Sequence, residues 1–330
     1  MQKTVQKKKK KKRFVIEQPQ RVLVLGALLL LLIVVLTLFI CIVTCARPSA
    51  PEEPEPTSAP TATALPSEAP SPTPEPSWEE AHMAEIERNV RSFGNCPDEA
   101  AIAARMATMV SDPTQKMVAY TFDDGPRTDI TDKVLDILEQ NGVRATFFIK
   151  GDNIAGHEEQ LMRMLSLGCE IGNHTWNHTD IETLTPAEMR EEIGKVNDAI
   201  KERFGYSIKL FRPPYIRYGQ KGDETRTALV ALMEDWDMAI VNHTRSTHDT
   251  YSTYTADRIY DRGVMEIDEL GKTLNGSIIL CHDKTQKTVD AFARIVPELL
   301  SRGYQFVTVS ELLHYSTDGF HAGWVYSTAN

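Results

Sequence analysis

Two adjacent carboxylates stand where an apolar run ends, in Thr121-Phe-Asp-Asp-Gly-Pro126. Residues 117–122 read as a buried strand, and Gly125-Pro126 then forces a turn. Asp123 and Asp124 repel each other in a dry site unless a cation or a shared proton relieves them. Asp, Gly and Pro also build ordinary turns, so the partners decide. His174-Thr-Trp-Asn-His178 supplies two imidazoles four residues apart. That spacing sets both rings on one side of a helical turn and suits a shared metal. With Asp124 the set becomes two His and one carboxylate, leaving coordination positions open as a catalytic metal requires. Non-haem iron uses the same set, but on all-β folds with the carboxylate close to the first His. Here the carboxylate precedes by about fifty residues in an alternating chain, which favours zinc hydrolysis.

The elements that must position these groups alternate. Strand-like runs fall at 117–122, 145–150, 169–172, 208–212, 238–242, 277–281 and 305–309, with helical patterns between most of them. The clearest helix is Pro186–Phe204, opened by a capping box (Thr185, Glu188) and a Pro at its first position. Such alternation predicts a parallel sheet, either a closed barrel or an open doubly wound sheet. Asp123 and Asp124 end the first run, and His174 and His178 follow the third. Arg212 ends the fourth, Asp249 follows the fifth and His282 ends the sixth. Chemistry spread over successive strand ends is the barrel pattern, whereas an open sheet gathers it at one switch point. The expected fold class is therefore α/β, a distorted (β/α)7-type barrel preceded by a single transmembrane helix and a Pro-rich linker.

That preceding region is not globular. Residues 1–21 carry a net charge of +8, including the unbroken basic run 7–13, and 22–46 is a stretch of 25 residues without a charge. Its length spans a bilayer, and the basic flank sets the N-terminus in the cytoplasm. A cleavable signal peptide would have a shorter apolar region and a small-residue cleavage site. A lipid-anchor signal at Ile42-Val-Thr-Cys45 has a poor small-residue pattern. Residues 47–76 hold 10 of the 18 prolines with Glu, Ser, Thr and Ala, a composition for an extended spacer reaching about 90 Å at about 3.1 Å per residue. Beyond residue 21 the net charge is −18, which argues against nucleic acid as partner. Cys96, Cys169 and Cys281 follow the apolar stretch with no regular spacing, so no disulfide framework is expected. Residues 77–115 read as a helical lead-in packing on the next domain, with a coiled-coil stalk as the alternative.

Residues 116–315 resemble the polysaccharide deacetylase (NodB-homology) family, the family-four carbohydrate esterases, with 316–330 left as a tail. Thr121-Phe-Asp-Asp-Gly-Pro126 matches its first motif and His174-Thr-Trp-Asn-His178 its second. Arg212-Pro-Pro-Tyr215 matches the third, and Leu280-Cys-His282 the fifth. The resemblance implies that Asp124, His174 and His178 hold a divalent metal, zinc by expectation and cobalt as the alternative. It makes Asp123 the general base, with Arg212 pairing and orienting it. It makes His282 the general acid, with Asp249 raising its pKa, and gives the Tyr215 N–H to the oxyanion. The fourth motif departs: Ser246-Thr-His-Asp249-Thr250 lacks the usual Trp after the Asp, so Thr250 supplies no indole wall and Ser246 no carboxylate. The third continues Tyr215-Ile-Arg-Tyr-Gly219, an altered rim with Arg217 and Tyr218 expected to face substrate, while His248 is expected on the loop surface. The implied function is N-deacetylation of an extracellular acetylated polysaccharide, peptidoglycan first, by a single-pass membrane enzyme. The alternatives are an O-acetyl polysaccharide esterase of the xylan type and a catalytically impaired glycan-binding module.

Overall fold

The computed structural model describes residues 75–220 and 223–327. The basic tail, the apolar stretch 22–46 and the spacer up to residue 74 lie outside the described residues. Among those described, no helix is long and apolar enough to cross a membrane. The element order is α1 (Trp78–Phe93), α2 (Glu99–Ala107), β1 (Lys116–Asp123), α3 (Ile130–Asn141), β2 (Thr146–Ile149), α4 (Glu158–Ser166) and β3 (Glu170–Asn173). It continues through α5 (Pro186–Phe204), β4 (Leu210–Phe211), α6 (Glu224–Asp235), β5 (Ala239–Val241), β6 (Arg245–Ser246) and α7 (Ala256–Val264). It ends with β7 (Ser277–His282), α8 (Gln286–Ser301), β8 (Tyr304–Phe306), α9 (Val309–His314) and β9 (Val325–Tyr326).

All the ladders are parallel. The sheet order is β6-β7-β1-β2-β3-β4-β5-β9, with β8 also on β1. Among the described residues no ladder joins β9 to β6, so the barrel is incomplete. It differs from the expected seven strands by two short additions. β6 and β9 are two residues each, too short to leave a periodic trace in sequence. β9 pairs with β5, so the segment taken as a tail contributes to the sheet. Asp249 therefore follows the sixth strand and His282 ends the seventh.

Strand parity divides the interior in two. Val118, Tyr120 and Phe122 of β1 pack outward in the large core under the helices, with Phe147, Ile149, Ile171 and Phe292. Met117 and Ala119 point inward with Phe148, Leu210, Ala239, Val241 and Ile278. Val309, Leu312 and Leu313 of α9 join that inner cluster and close the end of the barrel away from the strands' carboxyl ends. The same alternation carries Thr121 and Asp123 inward, toward the barrel mouth.

The lead-in is helical as expected. α1 opens with a capping box between Ser77 and Glu80, and Ile86 and Val90 pack with Ile102 and Met109. Trp78 stacks between His82 at 4.5 Å and His314 at 4.0 Å. Its apolar face is turned to the barrel rather than left for a coiled coil. Below it, buried Arg144 donates to Glu311 (2.8 Å) and to the Met109 carbonyl (2.8 Å). Burial works to raise the Glu311 carboxyl, but Arg144 and His82 hold it down at about 2. Removing one member of such a pair strands the other charge. Arg144→Met is expected to lower unfolding stability by about 3 kcal/mol in urea titration; a change below about 1 kcal/mol, the range of exposed pairs, would refute this role.

Candidate active site

Register brings the chemistry together. Asp123 at the end of β1 is the ladder partner of His282 on one side and Phe148 on the other. Asn173, the residue before His174, pairs with Phe211, the residue before Arg212. Asp124 would point away from Asp123 if the strand continued, but its φ of 76° breaks the alternation. Both carboxylates thus reach the mouth, each almost fully buried. Gly125 is required behind them, because a Cβ there would lie 2.1 Å from the Asp283 carboxylate.

Residues 174–178 form no helical turn, contrary to the spacing argument. Thr175 and His178 instead take φ of 64° and 61°, and the loop is pinned by side chains. Asn173 accepts the Thr175 N–H (2.8 Å), and Glu192 accepts the Trp176 and Asn177 N–H groups (3.1 Å each). The two rings meet edge to face, with centroids 5.0 Å apart. The ligand atoms of Asp124, His174 and His178 all lie within 4.8 Å of one another.

The donor set fits a cation. His174 Nδ1 lies 2.6 Å from the Arg212 carbonyl oxygen, so it carries the proton and Nε2 presents a lone pair. That lone pair faces Asp124 Oδ1 at 3.5 Å, and His178 Nε2 stands 3.1 Å from the same oxygen. Asp124 Oδ1 is nevertheless buried without a hydrogen bond. Two imidazole nitrogens gathered around an unsatisfied anionic oxygen fit a metal position. Burial works to raise the Asp124 carboxyl, but His174, His178 and Lys284 hold it well below the usual range.

Four of the five remaining expected residues form two pairs flanking this position. Fully buried Arg212 donates to Asp123 (2.8 Å) and Thr121 (2.6 Å) through Nη1. His282 donates its N–H to Asp249 Oδ2 (2.7 Å), and its Nδ1 lies 2.9 Å from Oδ1. Thr288 completes the hold on Asp249 at 3.0 Å. Burial works to lower the His282 pKa, but Asp249 outweighs it and the net shift is upward. Tyr215 sits at φ 58° with its ring centroid 4.8 Å from that of His178, and it is 63% exposed. Its N–H has no backbone acceptor among the described residues.

A family model described as polysaccharide deacetylase matches residues 111–229. A peptidoglycan-N-acetylmuramic acid deacetylase of Bacillus subtilis is 35% identical over 61% of this chain, but that match spans only 39% of the relative's length. A chitin deacetylase of Colletotrichum lindemuthianum is 33% identical over 60% of this chain and 79% of its own. The structure of a family 4 acetyl xylan esterase from Clostridium thermocellum with a cobalt ion superposes with a TM-score of 0.55, at 30% identity over 64% of this chain and 98% of that one. The chain belongs to the polysaccharide deacetylase family.

Among the departures from this family's motifs, the rim differs from expectation at Tyr218, while Arg217 stays exposed beside the Tyr215 ring. Arg217 pairs with Asp180 at 2.6 Å, and Tyr218 packs against the outer core under Arg226. His248 is half-buried and stacks on Tyr251 at 4.8 Å rather than lying free on the surface. Three residues at the site were missed from sequence: His243 after β5, and Asp283 and Lys284 after β7. Each stands just past a strand's carboxyl end, the same positional signal that marked the others. Burial, then Arg212, pushes His243 down to about 4. Lys284 pairs with Asp124 Oδ2. Asp283 is fully buried, bonds Thr131 at 2.5 Å and leaves Oδ1 unpartnered.

Burial pushes the Asp283 carboxyl up to about 6. Its neutral form is favoured in the fold, so the associated stability is complete below its unfolded pKa and is lost as pH rises through about 6. Asp283→Asn should therefore raise stability at about pH 8 by on the order of 2 kcal/mol, shrinking to nothing toward pH 4. Urea midpoints at the two pH values check this, and an unchanged difference across the range would refute it.

Proposed function

We propose that the chain is a metal-dependent N-deacetylase of an extracellular acetylated glycan, with N-acetylglucosamine of peptidoglycan as first substrate. One observation carries the reading. In a polysaccharide deacetylase chain, the Asp124–His174–His178 cluster lies between an Asp123–Arg212 pair and a His282–Asp249 pair, at aligned strand ends. A divalent cation bound by the cluster, zinc in this reading, supplies Lewis acidity to a carbonyl oxygen and lowers the pKa of a water.

The chain's own residues do the rest. Asp123, whose Oδ1 is committed to Arg212, keeps Oδ2 for the proton of the attacking water. As the water oxygen bonds the acetyl carbon, the Tyr215 N–H donates to the oxygen that gains charge. The C–N bond then breaks, and its nitrogen takes a proton from His282, releasing acetate and an amine. Asp249 holds the His282 ring on Nδ1, which leaves Nε2 facing the site 4.0 Å from Asp124. The N-terminal sequence supports a single-pass anchor, with the cytoplasmic basic tail on one side and the spacer carrying the domain to the wall on the other.

O-acetyl ester hydrolysis is the second reading, favoured by the likeness to an acetyl xylan esterase. An alcohol leaves with less protonation than an amine, so His282→Ala should cost amide hydrolysis more than ester hydrolysis. The intact ion pairs weigh against a binding module without activity. Acetate release from peptidoglycan, chitin oligomers and acetyl-xylan tests the assignment; release from xylan alone, or from none with zinc bound, would overturn it.

Two variant sets test the roles. Asp123→Asn is expected to keep its metal while acetate release falls by about 100-fold or more, the scale of general-base catalysis. His174→Ala should lose both, and metal analysis giving the opposite pattern would contradict the division of labour. Asp249→Asn removes the group that raises the His282 pKa, so the alkaline limb of kcat/KM should move to lower pH. An unmoved limb would show that His282 is not the acid.

A further inference from the structure

The two oxygens of Asp124 have different surroundings. Oδ1 faces His178 Nε2 at 3.1 Å and His174 Nε2 at 3.5 Å, and it takes no hydrogen bond. Oδ2 faces the other way, against the Lys284 ammonium, with His282 Nε2 at 4.0 Å. Lys284 lies two residues past the end of β7, on a side chain that is 36% exposed, so its stem reaches inward from the rim. Among the described residues it is the one Lys or Arg paired with Asp124.

A carboxylate free to rotate offers a cation either oxygen, or both at once. Taking both fills a coordination position that a catalytic site keeps for water and substrate. A charge-assisted bond to one oxygen removes that freedom and leaves the other as the ligand. We propose that Lys284 is a positioning residue that holds Asp124 by Oδ2, making it a one-oxygen metal ligand through Oδ1. The inference rests on the metal-dependent deacetylase reading. A second cation beside the metal also repels it, so the opposite outcome is physically available: an ammonium that only competes would weaken metal binding, and its removal would tighten it.

The sign of the change decides. Wild type, K284M, K284Q and K284R are stripped of metal and titrated with Zn2+ by calorimetry, and their Co2+ forms are compared by visible absorption. Loss of a hydrogen-bonding partner to a ligand typically weakens metal affinity 10–100-fold, so K284M and K284Q should each bind Zn2+ about 10-fold more weakly. Their Co2+ bands should weaken as the second oxygen raises the coordination number, and K284R should restore both readouts. Unchanged or tighter Zn2+ binding in K284M and K284Q, or Co2+ spectra identical to wild type, would overturn the proposal. Wild type that takes up no metal would instead sink the deacetylase reading on which it rests.

Discussion

A fully buried guanidinium holds the mouth of this barrel together. Arg212 uses four of its five N–H groups on Asp123, Thr121 and the carbonyls of Val241 and Asn242, and its Cζ lies 4.1 Å from the Phe148 ring centre. Its own carbonyl accepts from His174. One residue thereby ties β1, β3, β4 and β5 to one another and stacks on β2. Burial costs an ion several kcal/mol unless nearly every donor is satisfied. Here that satisfaction is met by the groups that need orienting: the Asp123 carboxylate, the Thr121 hydroxyl and the carbonyls at the end of β5.

Strand parity and register do the rest of the positioning. Parallel pairing aligns the carboxyl ends of β1, β3, β4 and β7, so residues far apart in sequence arrive at one level. The inward face of β1 passes from Met117 and Ala119, packed in the inner core, to Thr121 and Asp123, engaged by Arg212. Where parity would send Asp124 outward, a left-handed residue turns it back. The neighbouring carboxylates can then differ in task because they differ in partner. Asp123 lies on Arg212, while Asp124 lies between two imidazoles and Lys284.

Much of this was legible in the amino-acid sequence because it rests on local signals. The seven expected strands, the capped helix Pro186–Phe204 and all eight expected site residues sit at periodic runs or motif positions; β4, though only two residues long, lies in the apolar run 208–212. The unread parts depend on tertiary context. Two-residue strands such as β6 and β9 exist only through their ladder partners. The convergence of His174 and His178 comes from left-handed backbone pinned by Asn173 and Glu192, not from helical spacing. Tyr218, expected at the rim, instead packs on the core beneath Arg226, a helix neighbour that no motif announces. Asp283 and Lys284 carried the right position but no motif, and only the packing against Gly125 and Asp124 reveals them.

In the proposed function the paired aspartates divide, Asp124 toward a cation and Asp123 toward Arg212. Zinc-edge anomalous diffraction from crystals of the protein soaked in zinc tests it directly. One strong peak is expected in contact with Asp124, His174 and His178, with Asp123 still on Arg212. A peak shared with Asp123, or no peak at this cluster with zinc in excess, would contradict it.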